Sequence, residues 1–590
     1  MRGMLLAGAA AMVVGASAPV PVAMATTPVL NEASPVKCQA GNPGQEYYYT
    51  SSGLPGGFSA SPPQSAPSFI APPPPPPPPP APAPVSQSPA ATSDAVVVTG
   101  NRPALQSSVQ MKRSAAPAYE AREAPNTEKY NGESVSSVMR VTETPVSTFS
   151  VDVDTGAYAN VRRMLNDGTT PTEAAVRTEE LLNYFRYDYP LPQDRSKPFS
   201  ITTDVAQTPW NAQTRLMRVG LRAYDVPRSE RPAANLVFLV DVSGSMNDPD
   251  KLPLVKTALS MLSDNLRPDD KVSIVVYAGA AGMVLAPTHE GKYVKQALEC
   301  LSAGGSTAGG QGMALAYATA EANFIKGGIN RVILATDGDF NVGISSIGEV
   351  EALVKQNRES GVTLTALGFG TGNYNEALME KMADVGNGNY AYIDSAMEAR
   401  KVLDDELSST LFTVAKDVKI QVEFNPALVS QYRLIGYENR ALAEEDFNND
   451  KVDAGDIGAG HQVTAIYEIV PTGAKGWLPD RHFTANNAKT SSQGEQLVWL
   501  KLRYKLPGEN TSRLIERAIP ASSVANAQPA RGDMAFAVSV AAYGQILRGD
   551  TYLGGYGLGD ARALAGTQSD YRRQEFLELT RLAETAKVRQ

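Results

Sequence analysis

Between residues 233 and 411 the chain alternates short, almost wholly apolar runs with longer stretches whose apolar residues recur every three or four positions. LVFLVD (236–241), KVSIVVYA (271–278), RVILATD (331–337), VTLTALGFG (362–370) and NYAYI (389–393) read as strands. Between the first two, Leu252, Val255, Leu259, Leu262 and Leu266 share one face of a helix. Apolar strands separated by amphipathic helices predict an α/β unit: a doubly wound, mostly parallel sheet with helices on both faces.

On either side of this unit the period drops to two. FSITTDVAQTPW (199–210) and TRLMRVGLRAYDV (214–226) precede it, and VKIQVEF (418–424), HQVTAIYEIV (461–470) and QLVWLKLRYKL (496–506) follow it. Each alternates like a strand with one wet face. STFSVDVDTGAYANVRRML (147–165) and EAAVRTEELLNYFRYDYP (173–190) read as a strand followed by two helices, and the chain closes with helices over 534–547 and 571–586. Strand-rich sequence on both sides predicts an α/β unit flanked by, or inserted into, a β-sandwich-like domain; three domains in a row is the alternative.

A length of 590 residues exceeds one core and implies two or three domains plus tails. The net charge of −9 provides no basic field, which argues against a nucleic-acid partner. Residues 26–127 lack periodicity and contain Pro72 to Pro80 as an unbroken run, so they read as a disordered, proline-rich linker with a stiff polyproline II stretch. Ahead of it, Arg2, the apolar stretch 4–16 and Ala23-Met24-Ala25 have the order of an export signal, giving a signal peptide over 1–25; an uncleaved anchor is the alternative. No other stretch reaches the roughly 20 apolar residues of a span, so the mature chain is expected without a transmembrane segment. Exported, periplasmic or envelope-associated placement follows. Cys38 and Cys300 could pair, but Cys300 lies in a helical pattern and is expected as a buried free thiol. His289, His461 and His482 are far apart, which speaks against a histidine metal cluster or triad.

The candidate chemistry lies where apolar strands end. In an open α/β sheet the ligand crevice sits beyond the carboxyl ends of the strands. Three segments arrive there with oxygen groups: Asp241-Val242-Ser243-Gly244-Ser245, the loop 304–310 with Thr307, and Asp337-Gly338-Asp339. Two carboxylates and three hydroxyls suit a small hard cation that keeps some waters, Mg²⁺ or Mn²⁺, with Ca²⁺ as the further candidate. No lysine, arginine or histidine is expected beside the three loops, and Ser243 lies outside any G-x-S-x-G elbow, so a metal-assisted hydrolase is the weaker reading.

DVSGSM, Thr307 in GGSTAGG and ATDGDFNVG together resemble the von Willebrand factor type A domain. The resemblance implies a metal-ion-dependent adhesion site formed by Asp241, Ser243, Ser245, Thr307 and Asp337, which captures a Glu or Asp of a protein partner. STFSVDVDTGAYANVRRML, EELLNYFRYDYP, AVSVAAYGQILRGD and YRRQEFLEL resemble the bacterial YfbK-type subgroup, which carries an N-terminal segment and a C-terminal domain around the type A core. The implied division is 128–232, 233–411 and 412–590. VVVTGNRP (96–103) looks like the start of the plug of TonB-dependent receptors. A non-enzymatic protein-binding module follows from these resemblances, with a hydrolase or an envelope scaffold as alternatives. The acidic stretch from Glu444 to Asp453 alternates acids and amides like a calcium loop, but Lys451 and Ile457 stand where an EF-hand has Gly and Glu, so it reads as a solvated loop.

Overall fold

The protein is described by a computed structural model over residues 35–36 and 126–588, apart from 152, 228, 308, 339–346, 407–408, 410, 480 and 482–494. The stretches 1–25 and 96–103 and almost all of 26–125 lie outside the described residues.

The α/β unit is a six-stranded sheet in the order Tyr390–Ile393, Thr363–Phe369, Ile329–Thr336, Ala234–Asp241, Lys271–Tyr277 and Ala281–Thr288. All neighbours are parallel except the last pair. Side chains of a strand point alternately to opposite faces, and Ala234–Asp241 is buried on both. Leu236, Phe238 and Val240 pack with Val255, Leu259 and Leu262 of the helix Leu252–Ser263. Val237 and Leu239 face the other way, towards Met313, Ala316 and Tyr317 of the helix Gly309–Ala322. The strand Ala281–Thr288 carries no regular alternation and was not anticipated; it is an antiparallel edge with two irregularities in its register.

That edge corrects the reading of the cysteines. Val36 forms a β-bridge to Leu285, and Ala286 N donates to Pro35 O at 3.0 Å. Cys300, at the end of the helix Gly291–Glu299, is half-buried and disulfide-bonded, not a free thiol. The other cysteine of the sequence, Cys38, lies outside the described residues. Local pattern could not show this, because the bridge depends on an unpaired sheet edge far along the chain.

Two further sheets form a sandwich. One runs Met139–Arg140, Val429–Ile435, Gln462–Pro471, Arg215–Ala223, Phe199–Gln207, Gln528–Pro529; the other runs Ala441–Leu442, Val146–Ser150, Thr413–Phe424, Gln496–Lys505, Arg513–Pro520. Arg215–Ala223 pairs with Gln462–Pro471, and Val146–Ser150 with Thr413–Phe424. Strands from before and after the α/β unit are therefore hydrogen-bonded to one another, and the unit is inserted into the sandwich. Met217, Val219, Leu221, Ala465 and Tyr467 meet Ile420, Val422, Leu500 and Leu502 in the shared core. The C-terminal helices Gly532–Leu547 and Tyr571–Val588 cover one side together with Gly156–Asn166 and Thr178–Asn183. A short helix between them, Leu558–Ala565, completes this layer.

His461 precedes the strand Gln462–Pro471, and its Nδ1 accepts from Gly458 N at 3.2 Å. Burial holds its imidazole down to about 4 against the opposing pull of Glu406. A depressed folded value means that stability is complete above the unfolded value of about 6.5 and is lost as pH falls towards 4. His461→Asn is expected to lose about 2 kcal/mol less stability than the wild type between pH 7 and pH 4.5. Denaturant unfolding at the two pH values measures this; equal losses in both chains would refute it.

Candidate metal centre

The strand Ala234–Asp241 lies between Lys271–Tyr277 and Ile329–Thr336, where the strand order reverses and the connections leave in opposite directions. A crevice opens at such a point. Asp241 closes the strand there, fully buried at 0% exposure. Its Oδ1 accepts from Ser243 N at 2.9 Å and its Oδ2 from Thr336 Oγ1 at 2.9 Å. The turn that follows places Ser243 Oγ and Ser245 Oγ 3.1 Å apart.

The second loop is fastened to the first by backbone bonds, Gly304 N to Val242 O at 2.8 Å and Gly244 N to Gly305 O at 3.0 Å. Gly305 has a φ of +85°, which a side chain would strain. Two residues on, Thr307 is buried. The third loop starts at Asp337, also 0% exposed. Gly338 follows with a φ of +84° and packs so closely on Asn375 that a Cβ would meet backbone. The fold thus brings the loops that carry Asp241, Ser243, Ser245, Thr307 and Asp337 to the carboxyl end of the parallel strands; Asp339 lies outside the described residues.

Burial pushes the Asp241 carboxyl up to about 6, hydrogen bonds from Ser243 and Thr336 pull it back, and the charge of Asp337 adds to the rise. Burial and Asp241 together raise the Tyr277 phenol beside it well above its ordinary value. The charge of the buried Asp337 thus acts on the buried Asp241, and the hydroxyl pair supplies neutral oxygens next to them. This donor set fits a hard divalent cation. Among the described residues no group of three or more His, Cys, Asp and Glu is gathered.

One expectation is corrected. Lys251 does accompany the loops: its Nζ donates to Asp337 Oδ2 at 3.1 Å and to Asn373 Oδ1 at 2.7 Å, and Asn373 Nδ2 donates to Asp337 Oδ2 at 2.9 Å. Lys251 stands directly before the helix Leu252–Ser263. The chain returns past it at Gly370, where a Cβ would collide with the lysine stem. Thr336 and Tyr277 were missed for a related reason: both are last residues of strands, and their roles depend on the neighbouring strand.

The acidic stretch near 450 is held by cations of the protein itself. Lys419 Nζ donates to the carbonyls of Asp446 and Asn449 at 3.0 and 2.7 Å, Lys505 Nζ donates to Asp450 O at 2.7 Å, and Arg503 pairs with Asp450 at 3.2 Å.

The sheet order, the helices on both faces and the loops at its switch point define a von Willebrand factor type A domain. A family model described as "von Willebrand factor type A domain" matches residues 235–406, one described as "von Willebrand factor" matches 124–218, and one described as "Uncharacterized protein YfbK, C-terminal" matches 409–586. The chain belongs to the YfbK family: it is 47% identical over 474 residues to YfbK of Escherichia coli (strain K12), covering 78% of this chain and 82% of that one. It is also 30% identical over 191 residues to protein sll0103 of Synechocystis, covering 31% and 43% of the two. Among solved structures, a von Willebrand factor type A protein from Catenulispora acidiphila aligns with 67% of this chain and 89% of that one, at 17% identity and a TM-score of 0.37.

Proposed function

We propose that the protein is an exported, non-enzymatic binding module that uses a divalent cation, Mg²⁺ or Mn²⁺, to capture an acidic residue of a protein partner. The observation that carries this reading is the pair of fully buried carboxylates, Asp241 and Asp337, set beside the Ser243–Ser245 hydroxyl pair at the switch point of the sheet. Asp241, Ser243, Ser245, Thr307 and Asp337 would hold the ion, which would supply a positive charge to a carboxylate arriving from outside. Charge-assisted contacts of this type are strong and directional. A hydrolase is disfavoured because Lys251, the cation closest to these loops in the geometry above, is buried and engaged by Asp337 and Asn373. It presents no acid or base to a substrate.

Export is supported by the disulfide at Cys300, since such bonds persist in oxidising compartments, together with the leader-like pattern of residues 1–25. Among the described residues no helix is long and apolar enough to cross a membrane. The binding reading is tested with the full chain immobilised and exposed to envelope extract in Mg²⁺. Retained proteins should be released by chelator and by excess acetate, and should be absent from an Asp241→Ala column. Retention that survives both washes would overturn the reading.

A further inference from the structure

We infer that Lys251 is a built-in counter-charge that sets how positive the loaded site is, so that it weakens cation binding and strengthens carboxylate capture. This rests on the metal-site reading given above. Lys251 is 3% exposed, and its ammonium lies 3.1 Å from Asp337 Oδ2 and 2.7 Å from Asn373 Oδ1. Asn373 closes the triangle by donating to the same Asp337 oxygen at 2.9 Å. The left-handed backbone at Gly370, with a φ of +77°, lies against the lysine stem where a side chain would collide with it. Buried and bonded in this way, the ammonium is expected to stay with Asp337 when an ion binds.

The consequence is electrostatic. Asp241 and Asp337 together match the charge of a divalent cation, which by itself would leave a neutral site with little attraction for an anion. Lys251 leaves one unit of positive charge in a buried place, where charges are poorly screened. It opposes the incoming cation and attracts the incoming carboxylate. A lysine serving only to position Asp337 predicts the opposite result for the metal, because its loss would let a ligand drift and would loosen the ion.

The test uses the full chain with Mn²⁺ as the metal and acetate as the carboxylate. Free Mn²⁺ is counted by its paramagnetic resonance signal, and acetate binding is read from displacement of water on the bound ion by proton relaxation. Lys251→Met is expected to bind Mn²⁺ about tenfold more tightly and acetate about tenfold more weakly than the wild type. Lys251→Arg should stay near the wild type in both. Asn373→Asp, which adds a negative charge and leaves the lysine in place, should move both affinities in the direction of Lys251→Met, so the test stands if that variant does not fold. Mn²⁺ affinity that falls or is unchanged in the folded Lys251→Met chain would overturn the inference while leaving the metal site standing. Absence of Mn²⁺ binding by the wild type would overturn both.

Discussion

An Asp241→Ala chain is expected to bind Mg²⁺ or Mn²⁺ at least about 100-fold more weakly while remaining no less stable than the wild type in chelator. The first half follows from removing one of two buried negative charges at the centre of the proposed site. The second is less intuitive. Asp241 is an interior carboxylate pushed up to about 6 by burial and by Asp337, so without a cation its ionisation costs stability that builds as pH rises from about 4 and is complete above about 6. Alanine removes this cost but leaves Ser243 N and Thr336 Oγ1 without their acceptor, at roughly 1–3 kcal/mol. The two effects offset. With Mg²⁺ at a hundred times its Kd, the wild type should gain about 2.7 kcal/mol and the variant nothing. Thermal unfolding across a Mg²⁺ titration gives both numbers at once. A Tm that rises equally in both chains would place the ion elsewhere.

Arg162→Met is expected to cost about 3–5 kcal/mol and to separate the unfolding of the α/β unit from that of the C-terminal helices. Arg162 leaves the helix Gly156–Asn166 and reaches Asp394 at 2.6 Å and Glu398 at 2.8 Å in the α/β unit, and Glu575 at 3.0 Å in the helix Tyr571–Val588. Tyr184 donates to Glu398 at 2.7 Å within the same cluster. Three segments far apart in sequence thus share one guanidinium. Methionine fills much of its volume yet strands carboxylates that burial already disfavours; the Asp394 carboxyl is raised even with its partner present, by burial above all. Adding Glu398→Gln should restore part of the loss, because it removes one stranded charge. Urea unfolding followed by near-ultraviolet dichroism and by protease sensitivity would show the separation. A single transition with an unchanged midpoint would contradict it.

Much of the candidate site was legible because its parts are local. DVSGSM ends one apolar run and Asp337 directly follows another, so the rule that ligands gather beyond strand ends placed both without knowledge of packing. Cys300 and Lys251 were misread for the opposite reason. A cysteine in a helical pattern looks like a core residue until the distant segment around Val36 is found paired with the Ala281–Thr288 edge. Lys251 is brought beside the loops by contacts with Gly370 and Asn373, more than a hundred positions later.

By itself the sequence determined the doubly wound α/β unit, its flanking strands and the oxygen-bearing loops, since side-chain periodicity and strand-end chemistry are properties of neighbouring residues. Tertiary structure alone decided the insertion into the sandwich, the Arg162 cluster and the charge that Lys251 brings to Asp337. Each depends on strand pairing or burial between segments whose separation leaves no periodic trace in the chain, and burial is what turns an ordinary ion pair into a fixed one.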